Sequence, residues 1–305
     1  MKSRFPPLEI ETLESLLGRP DVDAVIIAAP TGEHATVASA AFRARKHVYL
    51  EKPLATTAEE GRRIVDAWRN AGTVGMVGYN FRRSPVFERA KLELDSGALG
   101  SLIQIQGTFL WAAEQVEGWR ADPGEGGGVL LDLASHHVDL VVALTGSRVR
   151  DVRCNLRSVR TPEDSATLEI TLEGGITAQL FASFAIGAQV NRLELLGSSG
   201  SLSVDLLDPV LQPVDRPPGR GARVIRARRA LSGLHPLRLL RSPGHEPSFR
   251  TSLQVFLQAC VDGSAVEPTP ETALHTVGVI EAARASAERE GARCTVTANH
   301  SPSSH

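Results

Sequence analysis

Cysteine is scarce in this chain of 305 residues: there are three, Cys154, Cys260 and Cys294. Odd in number and far apart, they build neither a disulfide framework nor a paired-cysteine metal knuckle, and such usage fits a reducing, cytoplasmic setting. Long apolar runs are missing too. None approaches the roughly 18 uncharged residues of a membrane span, and residues 1–7 (MKSRFPP) lack the apolar stretch of about 7–15 residues that marks a signal peptide. Neither sign of charge dominates: 33 basic against 35 acidic residues leave a net charge of −2, with no general pull toward nucleic acid. Lysine is rare among the bases, occurring only at Lys2, Lys46, Lys52 and Lys91. Where arginine is the usual cation, a lysine at a suggestive position says more. Arg216–Arg241 holds eight arginines and no acid. Without interleaved aromatics it reads as a solvated excursion or a contact for an anionic substrate, and no nucleic-acid partner is expected.

What is present is a change of period along the chain. Up to about residue 97, short apolar runs alternate with helical patterns. A helix over 8–17 ends at Gly18. The run Ala24–Ala29 reads as a strand buried on both faces, followed by a helix over 33–44, a strand at His47–Glu51, a helix from Thr56/Thr57 to near Gly72, a strand at Thr73–Gly78 and a helix over 85–95. Strands separated by helical crossovers mean a parallel α/β layer. From residue 101, Ile103, Ile105, Phe109 and Trp111 alternate with Gln104, Gln106 and Thr108, as in a strand with one covered face. After a helix over about 126–145, strands follow at about 150–159, 165–173, 176–186, 191–197 and 200–206, then helices at about 247–262 and 269–290. The expected fold is therefore α/β over residues 1–97, then a mostly antiparallel α+β unit over 98–305.

Ligands bind beyond the carboxyl ends of parallel strands. There the first strand runs into Pro30, Thr31 and His34, the second into Glu51, Lys52 and Pro53, and the third into Tyr79, Asn80, Phe81 and Arg82. A second constellation opens with Gly126, Gly127 and Gly128 and continues with Asp132, His136, His137 and Asp139. On a regular helix Asp132 and His136, four apart, share a face. A carboxylate beside an imidazole orients it and raises its proton affinity. No HxxxH pair or cysteine offers a third ligand, so no metal site is expected.

Asp23–Pro30 with His34, then Lys46–Leu54 with its Glu51-Lys52-Pro53 core, and the Gly126–Asp139 constellation resemble the Gfo/Idh/MocA oxidoreductases, as does the closing Glu281–Gly291 stretch. The resemblance implies a Rossmann domain binding NAD or NADP, an α+β domain for substrate and subunit contact, and hydride transfer at a carbinol of a sugar, inositol or related polyol. It makes Lys52, Asp132 and His136 the catalytic candidates, with the proton carrier open between Lys52 and His136. Pro30, Thr31, His34, Glu51, Lys52, Pro53, Asn80 and Arg82 become the cofactor-binding candidates, and the Lys52–Pro53 bond is expected to be cis. A homo-oligomer is expected through the second sheet, where Ile176, Ala178, Leu180, Ala182, Phe184 and Ile186 share one face and Phe181 and Ala185 lie on the other.

One family feature is not among these residues. The G-x-G triplets starting at Gly124, Gly126 and Gly219 have Val129, Leu131 and Val224 where GxGxxG requires its third glycine. Either an upstream segment carries the phosphate loop, or part of the cofactor site is lost. The expectation for the 305 residues is an incomplete Rossmann-type sheet open along Ala24–Ala29, with weak dinucleotide binding. A non-catalytic family member is the alternative.

Overall fold

A computed structural model describes residues 11–112, 118–123, 126–207 and 247–297. The expected helix start at residue 8 and the Arg216–Arg241 segment lie outside the described residues. Three short strands, β1 (Ala24–Ile27), β2 (His47–Leu50) and β3 (Gly75–Val77), run parallel in the order β1-β2-β3. Helix α1 (Leu13–Gly18) precedes them, α2 (His34–Arg43) and α3 (Ala58–Ala71) are the crossovers, and α4 (Pro85–Asp95) leads away. The limits of α3 follow from local chemistry. The Thr57 side chain accepts the Glu60 amide, and Gly72 ends the helix in a left-handed conformation that costs glycine nothing. Among the described residues β1 is an edge strand. Ile26 is 57% exposed, although its register neighbours Tyr49 and Met76 are buried.

The second sheet contains β4 (Leu102–Leu110), β5 (Val149–Arg157), β6 (Ser165–Leu172), β7 (Thr177–Ser183), β8 (Val190–Gly197), β9 (Gly200–Asp205) and β10 (Cys294–Thr295), ordered β10-β5-β6-β7-β4-β8-β9. Every pairing is antiparallel except β4 with β7, because β4 enters between two strands formed later. Alternation along β4 holds for Ile105 and Phe109 but not for Ile103, where a register shift between Leu102 and Gln104 turns the side chain outward. The apolar face of β7 is buried at Ala178, Leu180 and Ala182 and continues at Phe184. It stops before Ile186, because the ladder closes at Ser183, whose hydroxyl meets Ser165 Oγ (2.8 Å) and accepts the Ala185 amide.

Helices α6 (Pro247–Asp262) and α7 (Pro270–Glu288) complete the molecule. By chain order they belong to the second unit; by packing α6 covers the first and α7 joins both. Phe256 and Ala259 of α6 cover Tyr49 and Met76 on one face of the parallel sheet. Ala273, Leu274 and Val277 of α7 join the cluster of Leu50, Leu54 and Ile64, whereas Val279, Ile280 and Ala283 join the core of the second sheet. The expected boundary near residue 97 therefore does not divide the packing, since α7 belongs to both cores.

Gly107 of β4 lies where a Cβ would meet His137 Nδ1 and Leu180 Cδ2, each at 2.7 Å, and Leu193 Cδ2 at 3.0 Å. Its φ is not positive, so the cost of a side chain is steric alone. Gly107→Ala is expected to destabilise the protein by roughly 1–3 kcal/mol, as overpacking does. Urea titration should read this as a lower midpoint at constant slope; an unchanged midpoint would show that the three neighbours yield without cost.

Candidate active site

Lys52 leaves the carboxyl end of β2 as part of a cis Lys52–Pro53 peptide, as expected. Across the cleft, the segment that starts with the three glycines does not enter a regular helix. Gly126 and Gly128 have φ of +88° and +82°, and at Gly126 a Cβ would meet Thr56 Cγ2 at 2.7 Å and Thr31 Cβ at 2.9 Å. Both positions favour glycine by conformation, and Gly126 needs it for space as well. Leu130–Ala134 then form one wide π-type turn, which passes into α5 (Ser135–Thr145). Such turns break the ordinary helical register and are frequent at functional sites.

Asp132 sits in that turn. Lys52 Nζ donates to the Asp132 carbonyl oxygen at 2.8 Å and pairs with its carboxylate, each side chain only 15% exposed. Burial by itself would raise the Asp132 carboxyl, but the Lys52 charge and hydrogen bond, helped by Arg120, hold it below the usual range. This corrects the expectation that Asp132 orients His136, because its carboxylate is committed to Lys52.

His136, in the first turn of α5, lies inside an aromatic enclosure. Its ring centroid is 4.8 Å from Phe81, 5.8 Å from Tyr79 and 5.9 Å from Phe109. Nδ1 is fully buried, and no hydrogen bond reaches either ring nitrogen from the described residues. Burial, then the nearby Lys52 charge and then His137, hold the imidazole well below its ordinary 6.5. Its proton affinity is thus lowered, where a neighbouring carboxylate would have raised it. His137 is a packing residue, with Nε2 2.9 Å from Asn191 Oδ1 and its ring stacked on Phe109.

Of the other candidates, Pro30 is exposed and Pro53 buried. Thr31 is buried with its Oγ1 unpartnered among the described residues. Glu51 is half-buried beside Lys52, and burial pushes its carboxyl up against the opposing pull of Lys52 and Arg120. Three of the cofactor candidates make hydrogen bonds within the fold. His34 lies 2.8 Å from the Pro53 carbonyl through Nδ1 and 3.0 Å from that of Ala29 through Nε2, tying two strand ends together. Asn80 donates to Ser248 Oγ at 2.7 Å. Arg82 forks onto Asp139, Nε to Oδ2 at 2.7 Å and Nη2 to Oδ1 at 2.6 Å. Sequence reasoning placed Tyr79 and Phe81 at a ligand-binding strand end but missed that, with Phe109, which read as one face of a strand, they enclose His136; it also missed Arg120, which no spacing singles out.

A model described as an oxidoreductase family with an NAD-binding Rossmann fold matches residues 3–79, and the GFO/IDH/MocA C-terminal domain matches residues 87–203. The chain belongs to the Gfo/Idh/MocA family. Levoglucosan dehydrogenase of Pseudarthrobacter phenanthrenivorans is 37% identical over 143 residues, which are 43% of this Gfo/Idh/MocA chain and 35% of that protein. The dTDP-3,4-didehydro-2,6-dideoxy-alpha-D-glucose 3-reductase of Streptomyces violaceoruber is 32% identical over 228 residues, 72% of this chain and 66% of the reductase. The matches thus span about a third to two thirds of these curated relatives. A solved levoglucosan dehydrogenase in complex with NADH and levoglucosan superposes with a TM-score of 0.79 at 26% identity, covering 93% of this chain and 82% of that one. No helix among the described residues is long and apolar enough to cross a membrane.

Proposed function

We propose that this Gfo/Idh/MocA protein is an NAD- or NADP-dependent oxidoreductase moving a hydride to or from a carbinol carbon of a sugar, inositol or related polyol. The carrying observation is the contact of Lys52 with Asp132. It joins an ammonium and a carboxylate, one turn from a neutral imidazole, beyond the carboxyl end of a parallel strand, where such sheets bind ligands. The donor set fits a nicotinamide and a hydroxylated substrate, because the Lys52 ammonium and His136 Nε2 can both serve a hydroxyl, and Thr31 Oγ1 is a buried polar atom that no described residue satisfies.

The nicotinamide, when bound, supplies or receives the hydride. In the oxidative direction His136, neutral at pH 7, takes the hydroxyl proton at Nε2, the nitrogen not enclosed by the fold. Lys52 donates to the oxygen as alkoxide character develops, and Asp132 keeps the ammonium charged and aimed. Phe81, Tyr79 and Phe109 exclude water from the imidazole.

The test follows reduced nicotinamide by absorbance with NAD⁺ or NADP⁺ against levoglucosan, scyllo-inositol, myo-inositol and 1,5-anhydro sugars. Stoichiometric oxidation of at least one polyol is expected. Neither turnover nor nicotinamide binding across the panel would overturn the reading in favour of a non-catalytic protein. The same reading includes a subunit contact on the open face of the second sheet, supported by Phe181 standing half-buried between exposed Gln179 and its neighbours. A monomer in light scattering at micromolar concentration would count against that part.

A further inference from the structure

We propose that Arg82 and Asp139 are positioning residues, a clamp that holds the Tyr79–Phe81 segment over His136 and keeps water from its imidazole. The role in turnover rests on the function proposed above; the clamp itself does not. Residues Asn80–Arg83 form a single 3₁₀ turn, too short to fix its own side chains. Three ties secure it: Asn80 to Ser248, Arg83 Nη2 to the Glu267 carbonyl at 2.7 Å, and the Arg82 fork on Asp139. Only the fork reaches the helix that carries His136. Asp139 lies three residues beyond His136 on α5, so one carboxylate anchors the segment beside the ring it covers. Asp139 is wholly buried, and Arg82 is 11% exposed with Glu267 Oε2 at 3.8 Å from Nη1. A buried bidentate pair of this kind fixes geometry more firmly than a surface pair.

The ionisable groups around the imidazole are Lys52 from the end of β2, Asp132, His137 and Asp139 from its own helical segment, and Tyr79 and Arg82 from the clamped turn; β4 contributes only the Phe109 ring. Removing the Asp139 charge would by itself make His136 slightly harder to protonate. Letting Phe81 and Tyr79 swing away would have the opposite and larger effect, because water would then solvate the imidazolium. The direction of change therefore separates a clamp from a merely nearby charge.

The experiment compares the intact protein with Asp139→Asn, Arg82→Lys and Phe81→Leu, reading the His136 titration by NMR on ring-labelled histidine and the acid limb of the kcat profile. All three are expected to move the His136 midpoint upward by about one pH unit, a tenfold gain in proton affinity, with the acid limb following. Phe81→Leu removes the ring and leaves the clamp, so it reports even where Asp139→Asn fails to fold, and Arg82→Lys then reports on the fork. A folded Asp139→Asn or Arg82→Lys protein with an unmoved or lowered midpoint would overturn the clamp. An upward shift in protein that oxidises no polyol would sustain the clamp and overturn the proposed activity instead.

Discussion

Replacing Lys52 with methionine is expected to lower turnover roughly 10²–10³-fold, the usual cost of losing one donor to a developing oxyanion. Methionine keeps most of the length and apolar bulk of lysine, so the lost group is the ammonium that meets Asp132. Because the interaction strengthens as charge develops on the substrate oxygen, kcat and kcat/KM should fall together. Two protonation changes accompany the loss. Asp132, left with burial and without its main counter-charge, becomes easier to protonate; His136, relieved of a nearby cation, does too. The acid limb of activity should therefore move to higher pH. Removing one partner of a buried ion pair typically costs about 3–5 kcal/mol. Here Asp132 can shed its charge by taking up a proton, so the stability loss should be largest at neutral pH and shrink toward pH 4. Turnover within tenfold of the unaltered protein would remove Lys52 from the mechanism.

Acid should destabilise the protein already between pH 6.5 and about 4, through its buried histidines. His137 and His275 are buried, and each is pushed down from 6.5 to about 4, His137 by burial and His275 by burial and then the Arg148 charge. In the unfolded chain both would protonate near 6.5. Between these limits the unfolded state binds more protons than the native state, so stability falls as pH falls. The contribution is complete above pH 6.5 and gone below about pH 4. Each histidine accounts for about 3 kcal/mol over that window, and the pair for about 6 kcal/mol. His34 and His136 are also held below their ordinary value and act in the same direction. Urea midpoints at pH 7, 6, 5 and 4.5 should decline steadily. Stability that stays flat from pH 6.5 to 4.5 would mean that these imidazoles are hydrated in solution.

The strand ends were legible to within a residue or two because continuous apolar runs such as Ala24–Ala29 and Val48–Leu50 stop at polar or constrained residues, Pro30 and Glu51, although β1 itself closes at Ile27. Chain chemistry also marked the limits of α3, through Thr57 and Gly72. The partners of the polar residues were not legible. Lys52 finds Asp132 and Arg82 finds Asp139 only after distant segments dock, and spacing along the chain says nothing of such pairs. Asp132 and His136 illustrate the point most clearly: a regular helix would set them on one face, yet the π-type turn and a competing ammonium give the carboxylate another partner. Arg82, Asn80 and His34 sit beyond the strand ends where ligands bind, and tertiary demand for hydrogen bonds uses them for the fold. Ile103 follows the alternation in sequence and is turned out by a bulge in β4, where Leu102 and Gln104 pair with the consecutive residues Gly197 and Leu196 of β8 and leave Ile103 unpaired.

The dual allegiance of α7 bears on the order in which the molecule is made. The parallel sheet is encoded by residues 24–77, but the residues that close it, Phe256 and Ala259 on one face and Ala273, Leu274 and Val277 in the core of the other, are translated roughly 200 residues later. While the ribosome works through the second unit, Tyr49 and Met76 have no cover, and exposed apolar surface of this kind is what aggregation and chaperones act upon. Strands β1–β3 are thus sheltered only once α6 and α7, about 200 residues further along, have been made and have docked.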